Sequence, residues 1–433
     1  MSVVNDPLDK LYSRVIWRLM PLLLLAQVLA FLDRVNIGTA KLQMAADVGL
    51  SASAYGLGAG IFFVGYFVFE VPSNLMLHRL GARTWIARIM VTWGIVSASA
   101  VFVDSANGFY VQRFLLGVAE AGFFPGVILY LTYWFPAQRR GRMTTLFMTA
   151  SAVAGVISGP LSGMLMTALH GVHGLAGWRW MFLLEALPSI LVGIMIFVWL
   201  PDSPKQADWL SSADRDRLLR DLAVSAPGSD HHAALRKGSA VSILLFATIY
   251  FLLLSGLYGI NFWLPTIIGF AGISDTLSNG WLSAIPYACA AVVMNLVARR
   301  ADRKRSWAWH VGLSALLAGA GFIISAVIAT HLIAALLALT LASIGIFSAL
   351  PLFWNLPTQR LSGVGAAAAI ALINSMGNLS GFIAPAAIGW LIEVTDNPAT
   401  GMAGLGIAAM LAGILTLAFG AQRSLRPYFS IFL

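Results

Sequence analysis

Charge is scarce in this chain and cysteine almost absent. Asp, Glu, Lys and Arg make up only 10% of the 433 residues while hydrophobic residues make up 59%, a balance that excludes an ordinary soluble domain and fits a polytopic membrane protein. The single cysteine, Cys289, lies in an apolar run, so one chain can build neither a disulfide framework nor a thiolate metal site. The net charge of +9 does not point to nucleic acid, because the basic residues fall between hydrophobic segments instead of on one face of a soluble domain. No apolar run carries a His-x-x-His or paired-Asp arrangement suited to metal or acid–base catalysis, and no soluble signalling domain is attached. The expectation is a protein that is not an enzyme and uses no cofactor and no metal.

What the chain has in abundance is long apolar runs. Twelve are of spanning length, at about 17–39, 52–77, 84–104, 107–131, 142–168, 178–200, 241–268, 279–299, 307–329, 332–354, 364–392 and 400–421. The first lacks a small-x-small cleavage site and exceeds a signal h-region, so it reads as a retained helix. Lys10, Arg14 and Arg18, Arg79 and Arg83, Arg139, Arg140 and Arg142, Arg299 to Arg305, and Arg423 and Arg426 all fall on one side, with Lys41 and Arg179 on the other. The positive-inside rule then places both termini and the basic loops in the cytoplasm, and the expected location is the cell (inner) membrane.

One long polar stretch, Pro201 to Ala240, divides the runs six and six. The expected organisation is a six-helix half over 1–200, a cytoplasmic linker over 201–240, and a second six-helix half over 241–433. Within the linker, Trp209, Leu210, Leu218, Leu219 and Leu222 among charges predict a short surface helix over 207–222. Gly155-x-x-x-Gly159-Pro160-x-x-Gly163 in run five is echoed by Gly377-x-x-x-Gly381, Pro385 and Gly389 in run eleven. Such small residues let helices approach closely, whether for plain packing or for moving, site-bearing segments.

Asp33, Arg34, Glu70, Arg113, Glu120 and Glu185 fall inside predicted spans, where charge is expensive and by default marks a site. Counted from Trp17, Asp33 lies roughly 22 Å into the bilayer. On run one Gln27, Phe31, Arg34 and Gly38, and on run four Arg113, Gly117, Glu120 and Phe124, repeat the spacing i, i+4, i+7, i+11, so each set forms a stripe. Glu70 is expected to pair with arginines of the adjoining loops, and Glu185 to serve helix packing. The second half carries no comparable charge, but offers Tyr258 and Asn261 on run seven, Trp354 on run ten, and Asn374 and Asn378 one turn apart on run eleven. Tyr66 on run two is a further candidate.

Several stretches carry a resemblance: Leu32-Asp33-Arg34-Val35-Asn36, Val71-Pro72-Ser73-Asn74, Arg113 through Gly126, Gly177-Trp178-Arg179-Trp180, Leu200-Pro201-Asp202-Ser203-Pro204 and Phe353-Trp354-Asn355-Leu356-Pro357-Thr358. With twelve spans, a central loop and basic turns after spans two and eight, the chain resembles the major facilitator superfamily. In these motifs it is similar to the anion:cation symporter family, whose members carry tartrate, phthalate, hydroxyphenylacetate, sugar acids and other carboxylates. His78 stands where the superfamily's loop after span two usually has an acid, whereas Asp302 keeps that acid after span eight.

The resemblance implies an all-α fold of two six-helix halves working by alternating access. It also implies that spans one and four line one path, and that parts of spans seven, ten and eleven, with Ser151 on span five, lie near it. A lone Ser in a membrane helix, however, commonly bonds its own backbone. The function expected is uptake of a small organic carboxylate with protons, by a monomer whose other partner is the lipid bilayer. Asp33 and Glu120 would carry the protons; Arg34 and Arg113, which offer planar forks of donors, would hold those acids in the empty carrier and the substrate carboxylate in the loaded one. Tyr66, Tyr258, Asn261, Trp354, Asn374 and Asn378 would contact the rest of the substrate. An organic-phosphate or anion exchanger, or a transport-derived sensor, are the alternatives.

Overall fold

A computed structural model describes residues 7–224, 239–360 and 364–421. Residues 225–238 of the central stretch and the terminal Arg423 and Arg426 lie outside the described residues, as does the side chain of His78. Every regular element among the described residues is helical, as expected where no water is present to satisfy the backbone of an exposed loop or sheet edge.

The helices are α1 (Pro7–Val48), α2 (Ala52–Leu80), α3 (Ala82–Ala98), α4 (Ala106–Glu120), α5 (Phe123–Trp134), α6 (Ala137–Ala168), α7 (Gly177–Trp199), α8 (Ser212–Val224), α9 (Ser239–Phe270), α10 (Thr276–Lys304), α11 (Trp307–Val327), α12 (Leu332–Phe353), α13 (Asn355–Arg360), α14 (Val364–Asn378), α15 (Ser380–Thr395) and α16 (Pro398–Ala421). They supply twelve membrane spans in two sets of six, separated by α8. Span four is α4 with α5, span ten includes α12 and α13, and span eleven is formed by α14 with α15.

Span one runs well past its apolar core at its N-terminal end, where its first turns have partners on α8 and α6. The Tyr12 hydroxyl donates to Asp221 at 2.6 Å, Arg14 pairs with Asp214 at 2.8 Å, and Asp9 pairs with Arg139 at 2.6 Å. The central surface helix starts later than its apolar pattern predicts. Trp209 and Leu210 precede it and pack on the bundle instead, Trp209 stacking on Trp134 at 6.1 Å, while Leu218 of α8 is fully buried. After span two, Gly81 takes φ +87° and the carboxylate of Asp202 accepts the backbone N–H of Arg83 at 2.7 Å. After span eight, Asp302 accepts the indole N–H of Trp307 at 2.8 Å.

The two halves meet on the side opposite the Arg79, Arg139 and Arg300 loops. Gly38 of α1 lies against the carbonyl of Asn261 in α9, Gly56 and Gly389 join α2 to α15, and Gly159 and Gly280 join α6 to α10. At the last crossing a methyl on either glycine would collide with the other's carbonyl, so the two backbones touch. Gly155, Gly163 and Gly381 also face the other half, whereas Gly377 packs on Tyr250 within its own half. Hydrogen bonds reinforce this contact: Tyr55 donates to the Phe262 carbonyl at 3.0 Å, Lys41 to Thr266 at 3.1 Å, and Ser51 to Glu393 at 2.7 Å. The Lys41 ammonium also lies 3.8 Å from the Trp263 ring centre and 4.7 Å from that of Tyr55. These three hydrogen bonds and the Lys41 contacts all lie on the side away from the basic loops.

Candidate functional site

Two features of the chain place charge between α1, α2 and α4. Gly117 abuts the carbonyl of Phe62, which draws α4 onto α2, and span four breaks immediately after Glu120. At the break Ala121 leaves helical geometry and Gly122 takes φ +86°, a left-handed conformation that only glycine adopts freely. Ser73 stabilises the break by donating to the Ala121 carbonyl at 2.6 Å while accepting from the Trp85 indole at 3.0 Å.

Around the ring of Phe62 stand two guanidinium groups, Arg34 at 5.3 Å and Arg113 at 5.0 Å from its centre. Arg34 is also 5.5 Å from the ring of Tyr66, and its Nη2 lies 3.0 Å from Glu120 Oε2. Arg34 is 22% exposed and Glu120 only 2%. Arg113 is buried, and none of its three guanidinium nitrogens has a hydrogen-bond partner; Oε1 of Glu120 has none either.

Asp33 departs from the expected pairing. Its carboxylate accepts from Ser97 of α3, and it bonds to neither arginine. Successive helix residues point about 100° apart, so Asp33 and Arg34 cannot both face the path. Asp33 remains within electrostatic range of Arg34, Arg113 and Glu120. The four charges therefore share one cluster, but only the Arg34–Glu120 pair closes.

The remaining predicted residues divide. Tyr66 and Tyr258 are both within electrostatic range of Arg34, and Tyr258 crosses between halves to pack on Phe63, ring centres 4.5 Å apart. Trp354 is half-buried against Tyr250 at 4.8 Å, and it marks the break between α12 and α13. Asn374 and Asn378 are half-buried near the end of α14, beside the break at Leu379. Asn261 is instead turned into the α9–α10 packing: it is 1% exposed, and its Oδ1 accepts from the Tyr287 hydroxyl at 2.9 Å.

One expectation about polar residues needs revision. Glu70 makes no ion pair with loop arginines among the described residues; the cation in its electrostatic range is Arg34. Ser151 accepts from Gln27 at 2.9 Å, tying span five to span one. Arg88 also lies inside the third predicted run; it stands 3.9 Å over the Trp85 ring. Glu185 does pack helices, accepting from Asn36 of α1 and Ser162 of α6, both at 2.8 Å.

The residues that sequence reasoning missed are Phe62, Ser97 and the Lys41–Trp263 contact. Phe62 was accessible, because it stands one turn from Tyr66 on the same face of α2. Ser97 gave no signal, since one Ser in an apolar helix has no distinctive pattern. Among the described residues no group of His, Cys, Asp and Glu could hold a metal ion.

Known proteins with the same architecture place this arrangement in context. The chain is 45% identical over 417 residues, 96% of its length and 92% of the other's, to the "Putative tartrate transporter" of Agrobacterium vitis. It is 40% identical over 405 residues, 93% of each chain, to the "Quinolone resistance transporter" of Acinetobacter baumannii. Its structure matches the inward-facing, unoccupied crystal structure of a bacterial homolog of the human lysosomal transporter Spinster with a TM-score of 0.71, 18% identity and 96% coverage of both chains. Residues 23–385 match the family model for the Major Facilitator Superfamily. Twelve spans in two halves, joined on one side around a buried charge cluster, belong here to a member of the major facilitator superfamily, a secondary transporter and not an enzyme.

Proposed function

We propose that this protein carries a small organic carboxylate inward together with protons, as a monomer in the inner membrane with both termini cytoplasmic. Residues 1–200 and 241–433 rock as two halves about the site, and 201–240 links them. The observation that carries the reading is the imbalance at Phe62: Arg34 and the buried Arg113 both stand at its ring, yet only Arg34–Glu120 is paired and Arg113 has no hydrogen-bond partner. Burying such a cation unpaired costs several kcal/mol, and an anionic substrate supplies the missing partner bidentately. The halves joined on the side away from the basic loops correspond to a carrier open to the cytoplasm.

Substrate and proton then compete for the same charges. A carboxylate arriving at Arg34 and Arg113 displaces Glu120, which takes up a proton as it leaves its cation; Asp33, behind α1, responds to the change through the cluster. A monoanion with one proton moves no net charge, and a second proton adds about 2.3 kcal/mol of drive per 100 mV of inside-negative potential. Tyr66, Tyr258, Trp354, Asn374 and Asn378 contact the rest of the substrate.

Tartrate is the first substrate to test because a relative with nearly full coverage bears that name. Purified protein in liposomes should accumulate labelled tartrate or another carboxylate under an imposed proton gradient and lose accumulation when a protonophore is added. Uptake that ignores the protonophore but requires phosphate or another anion inside would make the protein an exchanger instead.

A further inference from the structure

Behind α1, away from the Arg34 face, lies a second polar region of which the transport reading uses only Asp33. Asp33 and Asn36 are three residues apart on one face of α1. The Asn36 amide nitrogen donates to Glu185 Oε2 of α7, and the Ser162 hydroxyl of α6 donates to Glu185 Oε1. Glu185 is 4% exposed and Asn36 fully buried. Beside them Asn36 Oδ1, Ser158 Oγ one turn from Ser162, and Ser189 Oγ one turn from Glu185 are buried without a partner.

The carboxyl of Glu185 has no cation. None of the ion pairs among the described residues includes it, and the charged group within its electrostatic range is Asp33, another acid. The cations of the elements packed on α7 are engaged elsewhere: the arginines of α6 are in its first turns, Arg83 and Arg88 lie in the first half of α3, Arg34 of α1 pairs with Glu120, Lys41 of α1 lies on Thr266 and Trp263, and Arg179 of α7 itself reaches Asp47 and the Val101 carbonyl. Two neutral donors do not offset burial of an ionised carboxylate, and a neighbouring acid opposes it further. The neutral acid fits the same geometry. Ser162 can turn its hydroxyl from donor to acceptor, the protonated oxygen donates to it, and Asn36 continues to donate to the other oxygen.

We propose that Glu185 is a third proton-binding residue, carrying its proton in this conformation. One proton site then lies in the path at Glu120 and another lies behind α1, closed off from substrate. The exchange of that proton during transport rests on the proton-coupled reading above; its presence on Glu185 does not.

Infrared difference spectra of the purified, reconstituted protein decide the first point without any substrate. At neutral pH the wild type should show a carboxylic-acid carbonyl band that Glu185→Gln removes and Asp33→Asn retains. Identical spectra for wild type and Glu185→Gln across a pH titration would overturn the proposal. If Glu185→Gln does not fold, Ser162→Ala in the otherwise native chain should shift the same band by removing the acid's partner, and an unshifted band overturns it equally. With labelled tartrate in liposomes, Glu185→Gln should move one proton fewer per tartrate than the wild type; an unchanged ratio would make Glu185 a fixed neutral acid and refute exchange. Tartrate uptake indifferent to the proton gradient in the wild type would overturn the reading of function, while the spectra alone would still decide Glu185.

Discussion

Arg34 of α1 holds Glu120 of α4 at 3.0 Å, at the point where span four breaks and its chain turns left-handed through Gly122. The ion pair and the break bear on each other, since a change in the partner of Glu120 acts directly on the joint between α4 and α5.

Glu120→Gln keeps the shape of this joint and removes the titratable group. It should abolish gradient-driven accumulation while preserving exchange of labelled for unlabelled substrate. Asp33→Asn should also lose accumulation. Full accumulation by both variants, measured in liposomes with a pH gradient, would remove these acids from the coupling.

Arg34→Lys and Arg113→Lys retain the charge but lose the planar fork. A charge-assisted hydrogen bond contributes about 1.5–3 kcal/mol, so losing one should weaken substrate affinity roughly 10- to 100-fold. Calorimetric or competition binding checks this, and wild-type affinity in both variants would leave the cluster a helix tie.

The division between a charged first half and a neutral second half predicts separable defects. Asn374→Ala and Tyr258→Phe should reorder the ranking among hydroxy acids, sugar acids and aromatic acids with proton dependence intact, because a site that hydrogen-bonds a hydroxyl rejects an analogue lacking it. Competition by a panel of acids against one labelled substrate tests this. A uniform loss for all acids would show that the second half does not discriminate.

Gly159→Val places a branched side chain against the carbonyl of Gly280. It should disfavour the conformation closed on that side, leaving binding from outside while slowing transport at least tenfold. Cross-linking between cysteines placed on α6 and α10 checks this, and its yield should fall in the variant.

The surface contact of α8 should depend on pH. Hydrogen bonding from Arg14, with help from Ser211, holds the Asp214 carboxyl below its ordinary value. A lowered folded value means the contact is fully present above about pH 4 and is lost as pH falls through the folded value. Hydrogen exchange in α8 should rise across that acid range and be insensitive to it in Asp214→Asn.

The twelve spans were legible because a bilayer demands one thing of each segment, an apolar length, and the chain supplies it twelve times. The extension of α1 and the late start of α8 were not, because they depend on contacts such as Tyr12 with Asp221 and Trp209 with Trp134 that join distant parts of the chain. In the site, Arg34, Arg113 and Glu120 were visible as charge in an apolar context. Their partners were not: spacing cannot reveal that Ser97 takes Asp33, or that Tyr287 takes Asn261, since either choice leaves the same helix pattern.

The ammonium of Lys41 over the indole of Trp263 gives the protein a built-in optical reporter. Lys41 belongs to α1 and Trp263 to α9, so any separation of the halves on that side removes a positive charge from the face of an indole, and with it a perturbation of the ring's electronic levels. With the other tryptophans replaced, the emission of Trp263 should follow opening in real time, and Lys41→Met should abolish that response, so conformational cycling can be watched without attaching a label.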